Sequence, residues 1–551
     1  MMLNSIPRPE HPTPQLMRKH WINLNGQWQF QYDYGFSGAE RGFEKDFPFE
    51  HEITVPFCPE SSLSGIGNTD FMNCIWYCRT FALPEEWSER TFLHIGACDY
   101  EADVWINGRH AGNHIGGYVS FSFDITDFLQ KGENTITIRA IDRLRDFTQP
   151  GGKQCGQYAS YGCSYTRTTG IWQTVWLEGR PSAYIESFKL TPLCEQQSLL
   201  IEAVCKNAGG KKICAEAFWE DAPAGKAEAT VCGESVRFLL PLSVLKLWET
   251  GNGALYDLRL SLCDDTVESY FAMRSLSWEN GCLHLNGRPI FQRLVLDQGF
   301  YPDGIYTAPT EEALKRDIEL SMAMGFNGAR LHQKVFEPRF LYHCDKMGYL
   351  VWGEHANWML DISRPEAWQG FLPEWLEILK RDYNHPSIIG WCPLNETQQN
   401  QNPHFVKMLR DMTKAYDPTR PYIDASGWTH QGTLSDIPDA HHYEQNPDAF
   451  RALFGGADAP PFISEYGGTR CSADGWGYGA EAKDAAELLE RFRALTKILM
   501  QNPAVSALCY TQLTDVEQEQ NGLHTYDRQP KLNPADVKSI LMQTASVEKQ
   551  A

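Results

Sequence analysis

Two glutamates stand out because each follows an apolar run that is typical of a buried β-strand. Glu396 comes after residues 387–394 and directly after Asn395, and Glu465 comes after residues 461–464. If both strands belong to one barrel or sheet, the two carboxyl groups project from the same edge of it. Two facing carboxyl groups can cleave a glycosidic bond, because one protonates the leaving oxygen while the other attacks the anomeric carbon.

The two carboxyl groups of such a pair need different protonation states. The charge of one raises the pKa of the other, which separates an acid from a nucleophile. Asn395 could hydrogen-bond the sugar 2-hydroxyl, a contact that strengthens in the transition state. Either glutamate alone could equally belong to a buried ion pair or cap a helix. A catalytic role is favoured only because both glutamates follow strand-like runs.

The region that must position these residues starts near residue 275, where strand-like runs alternate with helical patterns. The strand candidates are residues 290–296, 328–331, 349–352, 387–393, 422–425, 440–443, 461–464 and 507–510. The helix candidates are residues 311–324 with Thr310 as N-cap, 338–347, 367–383 and 403–416. Eight strands separated by helices predict a parallel (β/α)₈ TIM barrel over residues 275–551.

Functional residues of such a barrel lie at the C-terminal ends of its strands. The polar residues at those positions are Asp297, Arg330, His332, Glu354, Asn395, Glu396, Asp424, His441, His442, Tyr443, Glu465 and the stretch after Tyr510. Of the neighbours His441 and His442, we expect one in the pocket and one in the core. Together with Asp439 they lack the spacing of a zinc site, and we predict neither a metal ion nor a cofactor.

The part of the chain before the barrel has the pattern of two β-sandwiches. Residues 1–180 contain short alternating strands broken by turn dipeptides such as Asn25-Gly26 and Asn107-Gly108. Residues 181–274 continue with short strands over the length of an immunoglobulin-like sandwich. This second region contains no cluster of residues suited to catalysis.

Composition narrows the class of protein further. The formal charge of −21 argues against nucleic-acid binding, which needs clustered Lys and Arg. The 16 cysteines form no CxxC pair, so free thiols in a reducing compartment are expected, although Cys155 and Cys163 could pair under oxidising conditions.

The first twenty residues do not form a signal peptide and no apolar run spans a membrane, so we expect a cytoplasmic protein without a membrane partner. The 17 Trp and 23 Tyr suit stacking against sugars but equally suit a core.

Several short motifs occur in a fixed order along the chain. The first domain contains residues 24–30, 53–56 and 170–178, and the barrel contains residues 325–330, 344–352, 384–389, 395–396 and 464–467. In this order and spacing they resemble glycoside hydrolase family 2, the family of β-galactosidase, β-glucuronidase and β-mannosidase. The resemblance covers nearly all 551 residues and implies a sugar-binding-like jelly roll (1–180), an immunoglobulin-like sandwich (181–274) and a catalytic TIM barrel (275–551).

The resemblance also implies roles for single residues. It makes Glu465 the nucleophile and Glu396 the acid/base of a double displacement with retention, with their carboxyl groups about 5–5.5 Å apart. It implies that Asp297 binds sugar hydroxyls, that Tyr443 contacts the nucleophile and that Tyr510 provides an aromatic platform. Further pocket candidates are Arg330, His332, Asn395, His442 and Glu519. The segment 332–335 departs from the family pattern, so its contacts cannot be transferred.

The substrate is less well defined. β-Glucuronidases carry an Asn-x-Lys pair in the last barrel loop, where the Lys holds the sugar carboxylate, whereas this chain has Glu519-Gln520-Asn521 before Gly522. A glutamate there would repel a uronate, so we predict an exo-acting enzyme that releases a neutral sugar, with β-D-galactosides favoured. The alternatives are an α-L-arabinofuranosidase, a β-uronidase in which Lys334 or another base replaces the missing Lys, and a non-catalytic carbohydrate-binding protein. We expect a small oligosaccharide or glycoside as the binding partner, and the sequence allows a homo-oligomer.

Overall fold

The N-terminal part is a β-sandwich in the computed structural model, which describes residues 6–45, 47–399, 401–472 and 474–550. Its strands are β1 (Trp21–Asn23), β2 (Gly26–Tyr32), β3 (His51–Val55), β4 (Cys74–Ala82), β5 (Arg90–Ile95), β6 (Cys98–Asp99), β7 (Glu101–Ile106), β8 (Arg109–Ile115), β9 (Phe121–Asp124), β10 (Glu133–Ile141), β11 (Gly170–Ile171) and β12 (Val175–Arg180). They form sheets with the orders β1-β12-β5-β9 and β3-β2-β4-β10-β7-β8, plus the pair β11-β6. In β7 every second residue is buried, as the alternating pattern requires.

A second sandwich follows. Its strands are β13 (Tyr184–Leu193), β14 (Ser198–Lys206), β15 (Lys212–Trp219), β16 (Ala222–Thr230), β17 (Ser235–Pro241), β18 (Tyr256–Leu262) and β19 (Asp265–Phe271), in the sheets β13-β14-β17 and β16-β15-β18-β19. The buried Arg18 joins the two sandwiches, because its guanidinium binds Glu178 at 2.9 Å and Asp265 at 2.8 Å.

A small antiparallel sheet separates this sandwich from the barrel. It consists of β20 (Leu276–Glu279), β21 (Cys282–Leu285) and β22 (Arg288–Ile290). Leu283 and Leu285 pack on barrel-interior residues such as Leu294 and Leu350. The sheet therefore closes the end of the barrel opposite the C-terminal strand ends.

The C-terminal part is a TIM barrel. Its parallel strands are β23 (Gln292–Asp297), β24 (Gly328–Leu331), β25 (Leu350–Glu354), β26 (Ile388–Cys392), β27 (Asp439–His442), β28 (Phe462–Gly467) and β29 (Ala507–Thr511), in the order β26-β25-β24-β23-β29-β28-β27. Its helices are α1 (Glu311–Ala323), α2 (Pro338–Met347), α3 (Pro365–Asp382), α4 (Pro403–Tyr416), α5 (Pro447–Phe454), α6 (Ala485–Gln501) and α7 (Pro534–Leu541).

The fifth predicted strand, residues 422–425, is irregular. Single parallel bridges join Trp391 to Tyr422 and Asn395 to Ser426, so this segment still lies beside β26 and fills the gap in the ring. The predicted fold class of two sandwiches and a barrel is confirmed. Thr310 caps α1 by accepting a hydrogen bond from the Ala313 N–H, as its position before the helix predicts.

Two apolar layers hold the barrel together. Leu294 and Trp352 fill the inside of the ring, while Val295 and Val351, their neighbours along the strands, pack against the surrounding helices. This alternation fixes which strand residues face the pocket. Within the described ranges, no helix is both long and apolar enough to cross a lipid bilayer.

Candidate active site

The two predicted glutamates meet at the C-terminal end of the barrel. Glu465 lies within β28, and Glu396 follows β26. A carboxylate oxygen of each and a ring nitrogen of His441 lie within 4.8 Å of one another. This is close to the expected separation of about 5–5.5 Å and shorter than the roughly 6.5–9.5 Å of inverting enzymes.

Glu465 is buried among positively charged groups and hydrogen-bond donors. Arg330 donates to its Oε1 atom at 3.1 Å, and the Tyr443 hydroxyl donates to its Oε2 atom. Burial raises the pKa of Glu465, but the charges of His441, His332 and Arg330 and the hydrogen bond from Tyr443 outweigh it and hold the pKa below the ordinary value. Glu465 is therefore ionised at neutral pH, as a nucleophile must be.

Glu396 occupies a different environment. Its Oε1 atom lies 2.7 Å from Nδ1 of His441, and its backbone N–H donates to the Ser426 carbonyl at 2.8 Å. Its backbone φ is +47°, in the left-handed region, which costs a residue with a side chain of order 1–3 kcal/mol and is typical of functional sites. Glu396 borders a cavity of about 490 Å³ that Trp358 and Arg364 also line, so it faces the side from which a leaving group can depart.

A buried ion network holds the neighbours of Glu465. Arg330 binds Glu354 at 2.6 Å and donates to the Asn395 Oδ1 atom at 2.9 Å, and His332 lies 3.0 Å from the other Glu354 oxygen. The Nδ2 atom of Asn395 is buried without a hydrogen-bond partner among the described residues, so it can donate to a ligand. Glu354 stands among the strand-end residues of the sequence analysis, but its place in the site becomes visible only in the structure.

The structure places two predicted site residues outside this cluster. Asp297 accepts a hydrogen bond from the Gly299 N–H and lies in the field of Asp317, on the helix side of its strand. Tyr510 packs against Phe492 of α6. These positions are corrections to the sequence analysis, and both follow from the alternation of side chains along a strand, which turns these two residues away from the pocket.

The neighbouring histidines lie in different surroundings, and His441 rather than the predicted site residue His442 lies beside Glu396. His441 contacts Glu396, whereas the His442 ring packs against Phe454 of α5. His442 is therefore a correction as well, and His441 is the histidine of the cluster. Thr511 takes the place at the end of β29 that we predicted for Tyr510, since its Oγ1 atom lies 3.3 Å from the Tyr443 hydroxyl.

A segment of the N-terminal sandwich lies against the last barrel loop, which no sequence pattern predicts. Residues 150–166 reach over the barrel, where the Tyr165 hydroxyl donates to Glu519 and the Thr166 N–H donates to Glu517 at 3.0 Å. The same segment carries Lys153, whose ammonium lies 3.9 Å from the centre of the Trp358 ring. No sequence pattern indicates this segment, because it precedes the barrel by more than a whole domain.

Tyrosine and tryptophan rings line the cluster. Tyr443 stacks on Tyr478 with 3.6 Å between ring centres, and Trp428, which is 62% exposed, lies edge-on to His441. Exposed rings of this kind can stack on the faces of sugars. Glu396, His441 and Glu465 are also close enough to hold one metal ion, although hydrolysis by paired carboxyl groups needs none.

Models of two family 2 domains match the chain. The model of the family 2 sugar-binding domain matches residues 22–149, and the model of the family 2 TIM barrel domain matches residues 306–476. A putative β-glucuronidase of Formosa agariphila is 27% identical over 63% of this chain, but the match spans only 44% of that relative. The β-glucuronidases of dog and human are each 25% identical, over 75% and 72% of this chain and 69% and 67% of their own lengths.

Solved structures have the same fold. A β-glucuronidase from Ruminococcus gnavus has a TM-score of 0.82 at 18% identity, covering 97% of this chain and 99% of that one. A β-glucuronidase from an uncultured Clostridium species has a TM-score of 0.81 at 19% identity, covering 95% and 98%. Because the two family models match both the sugar-binding domain and the part of the barrel that carries the paired glutamates, the chain belongs to glycoside hydrolase family 2.

Proposed function

We propose that this chain hydrolyses terminal β-glycosides with retention, using Glu465 as the nucleophile and Glu396 as the acid/base. The observation that carries the proposal is the close approach of the two carboxyl groups, within 4.8 Å of each other and of His441. With one oxygen of each group this close, the pair fits the about 5–5.5 Å of retaining enzymes better than the roughly 6.5–9.5 Å of inverting ones. A purely carbohydrate-binding protein would have no need for an ionised glutamate opposite a second one.

The reaction follows from the two environments. In the first step the Glu465 carboxylate attacks the anomeric carbon while Glu396 gives its proton to the departing glycosidic oxygen, and an ester joins the sugar to Glu465. In the second step Glu396 takes a proton from water, the resulting hydroxide attacks the anomeric carbon, and the Glu465 carboxylate leaves. Two displacements return the original configuration.

The assignment of roles rests on the contacts of each glutamate. Arg330 and Tyr443 both donate to Glu465 and hold it ionised and oriented. The side chain of Glu396 contacts His441 and borders the open cavity. The proton donor must face the leaving group and the incoming water, so the open side suits Glu396.

For the substrate we propose a β-linked uronic acid. The Formosa, dog and human relatives are all named as β-glucuronidases, or as a putative one. This favours the uronidase alternative over the β-D-galactosidase that the missing Asn-x-Lys pair predicts. A neutral β-galactoside stays the second candidate, because a buried glutamate, Glu519, stands in the loop where the pair would lie.

The test is hydrolysis of p-nitrophenyl glycosides: β-glucuronide, β-galacturonide, β-glucoside, β-galactoside, β-mannoside and α-L-arabinofuranoside. We expect a β-uronide to be cleaved fastest, with the β-anomer of the free sugar appearing first by NMR. Glu465→Gln should lower kcat at least about a thousandfold, while the control Glu490→Gln, on the exposed face of α6, should match the wild type.

Azide separates the two roles. With Glu396→Ala, azide should restore turnover of an activated aryl glycoside and give the β-glycosyl azide, because azide replaces the water that Glu396 would activate. With Glu465→Ala, azide should give the α-glycosyl azide. The proposed roles would be contradicted if the wild type released the α-anomer first. They would also be contradicted if Glu396→Ala gave the α-glycosyl azide and Glu465→Ala gave the β-glycosyl azide.

A further inference from the structure

The segment that carries Lys153 is fixed to the barrel through its backbone. The Gly151 N–H donates to the Trp358 carbonyl at 2.9 Å, the Gly152 N–H donates to the Ala356 carbonyl at 3.2 Å, and the Lys153 carbonyl accepts from the Tyr165 N–H at 2.7 Å. Gly152 has φ +56°, and a Cβ atom there would lie 2.2 Å from the Gln333 carbonyl oxygen. A glycine is therefore required for the segment to approach the barrel this closely.

The Lys153 side chain is buried but has no acceptor. It is 3% exposed, and its ammonium lies over the face of the Trp358 ring at 3.9 Å. Within the described part of the chain this ammonium makes no hydrogen bond and no ion pair, and its nitrogen is not among the fully enclosed polar atoms that lack a partner. A buried ammonium normally has a counter-ion or an acceptor, since removing its charge from water is costly. This ammonium lies over Trp358, which lines the cavity beside Glu396, so a ligand in that cavity can supply the acceptor.

The surrounding charges favour the protonated ammonium. Burial lowers the pKa of Lys153, but four acidic neighbours outweigh it and leave the pKa above its ordinary value: Cys163, Glu519, Glu465 and Glu396. The two catalytic glutamates thus lie within electrostatic reach of the ammonium. Trp358 lies between Lys153 and Glu396. Its ring faces the ammonium, and its Nε1 atom donates to the carbonyl of Asn395, the residue before Glu396, at 3.1 Å.

The geometry points to Lys153, from the N-terminal sandwich, as the group that binds the carboxylate of the terminal sugar. This inference rests on the proposed function and names its specificity-determining residue. It also accounts for the last barrel loop, where Glu519 stands in place of a cation. Both Glu519 oxygens are already bound, one by the Tyr165 hydroxyl and the other by the Asn521 amide at 2.9 Å, so this glutamate supports the segment that presents Lys153.

The test compares matched substrates that differ only at carbon 6: p-nitrophenyl β-glucuronide with β-glucoside, and β-galacturonide with β-galactoside. The quantity measured is the ratio of kcat/KM for the uronide to that for the neutral sugar. We expect Lys153→Met to lower this ratio about 30- to 100-fold, in the range of a lost charge-assisted hydrogen bond, and Lys153→Arg to restore part of it. Lys189→Met is the control, because Lys189 also lies over aromatic rings, at 4.2 Å from that of Tyr383, but in the second sandwich.

A second measurement does not depend on turnover. In the Glu465→Gln background, D-glucuronate should raise the melting temperature more than D-glucose does, and Lys153→Met should abolish this difference. The wild-type ratio separates the two hypotheses. If the wild type favours neutral sugars, the uronide proposal and the role of Lys153 both fail. If it favours uronides and Lys153→Met keeps both the ratio and the glucuronate response, only the role of Lys153 is refuted.

Discussion

Removal of the Tyr443 hydroxyl probes the electrostatics of the proposed nucleophile, Glu465, with a minimal change of shape. In the structure this hydroxyl donates to Oε2 of Glu465, while Arg330 donates to Oε1. Tyr443→Phe therefore removes one of these two hydrogen bonds to the carboxylate and keeps the ring that stacks on Tyr478. The remaining charges, those of His441, His332 and Arg330, stay in place.

The size of the effect follows from the energy of that bond. A hydrogen bond to a charged group contributes about 1.5–3 kcal/mol, and 1.36 kcal/mol corresponds to about one pKa unit. Loss of the Tyr443 bond should raise the pKa of Glu465 by about one to two units. The nucleophile must be ionised, so kcat/KM falls as the pH drops through this pKa. The wild-type acid limb should lie below the ordinary value of 4.5, and that of the variant should move upwards.

The assay is the pH profile of kcat/KM for the best aryl glycoside, measured over the range in which circular dichroism shows both proteins folded. Tyr478→Phe is the matched control, because it removes a hydroxyl from the stacked partner ring but none of the hydrogen bonds to Glu465. Its acid limb should coincide with that of the wild type. An unmoved acid limb in Tyr443→Phe, or an equal movement in both variants, would refute the claim that this bond holds Glu465 ionised.

Two further predictions concern the histidine pair and the interdomain segment. His441→Gln should lower kcat/KM about a hundredfold, the cost of misplacing a reacting group by about 1 Å, whereas His442→Gln should change it less than about threefold; equal effects on hydrolysis would contradict the placement of His441 at Glu396. Gly152→Ala should destabilise the fold by about 1–3 kcal/mol, because its Cβ would meet the Gln333 carbonyl. An unchanged melting temperature would show that the segment does not lie this close to the barrel.

Much of the barrel could be predicted from the sequence because its elements carry strong end signals. Both α2 and α4 begin with a proline and have the predicted bounds of 338–347 and 403–416. In contrast, no helix is predicted after residue 416, although α6 repeats apolar residues at helical spacing over 17 residues. The segment 422–425 has the composition of a strand but makes only single bridges, which local sequence does not reveal.

Within the site, the rule that strand ends carry function identified which positions to consider but not where each side chain points. Arg330, Glu396, Tyr443 and Glu465 converge because each faces the inside of the ring or its mouth. Tyr510 follows the same rule by position, yet a shift of one residue along a strand turns a side chain to the helix layer. Register, rather than residue type, separates Tyr510 from Thr511.

The choice of substrate depends on a contact that no single domain contains. The barrel sequence alone has a glutamate where a uronate-binding cation is expected, and it therefore favours a neutral sugar. In the folded chain, however, Glu519 is bound by Tyr165 of the N-terminal sandwich, and the same segment brings Lys153 to the pocket. The proposed role of Lys153 means that a cation from another domain takes the place of the cation that is absent from this loop. For this fold, the absence of a barrel motif is therefore not enough to exclude a substrate. The positions of the segments from other domains that cover the barrel must be known as well.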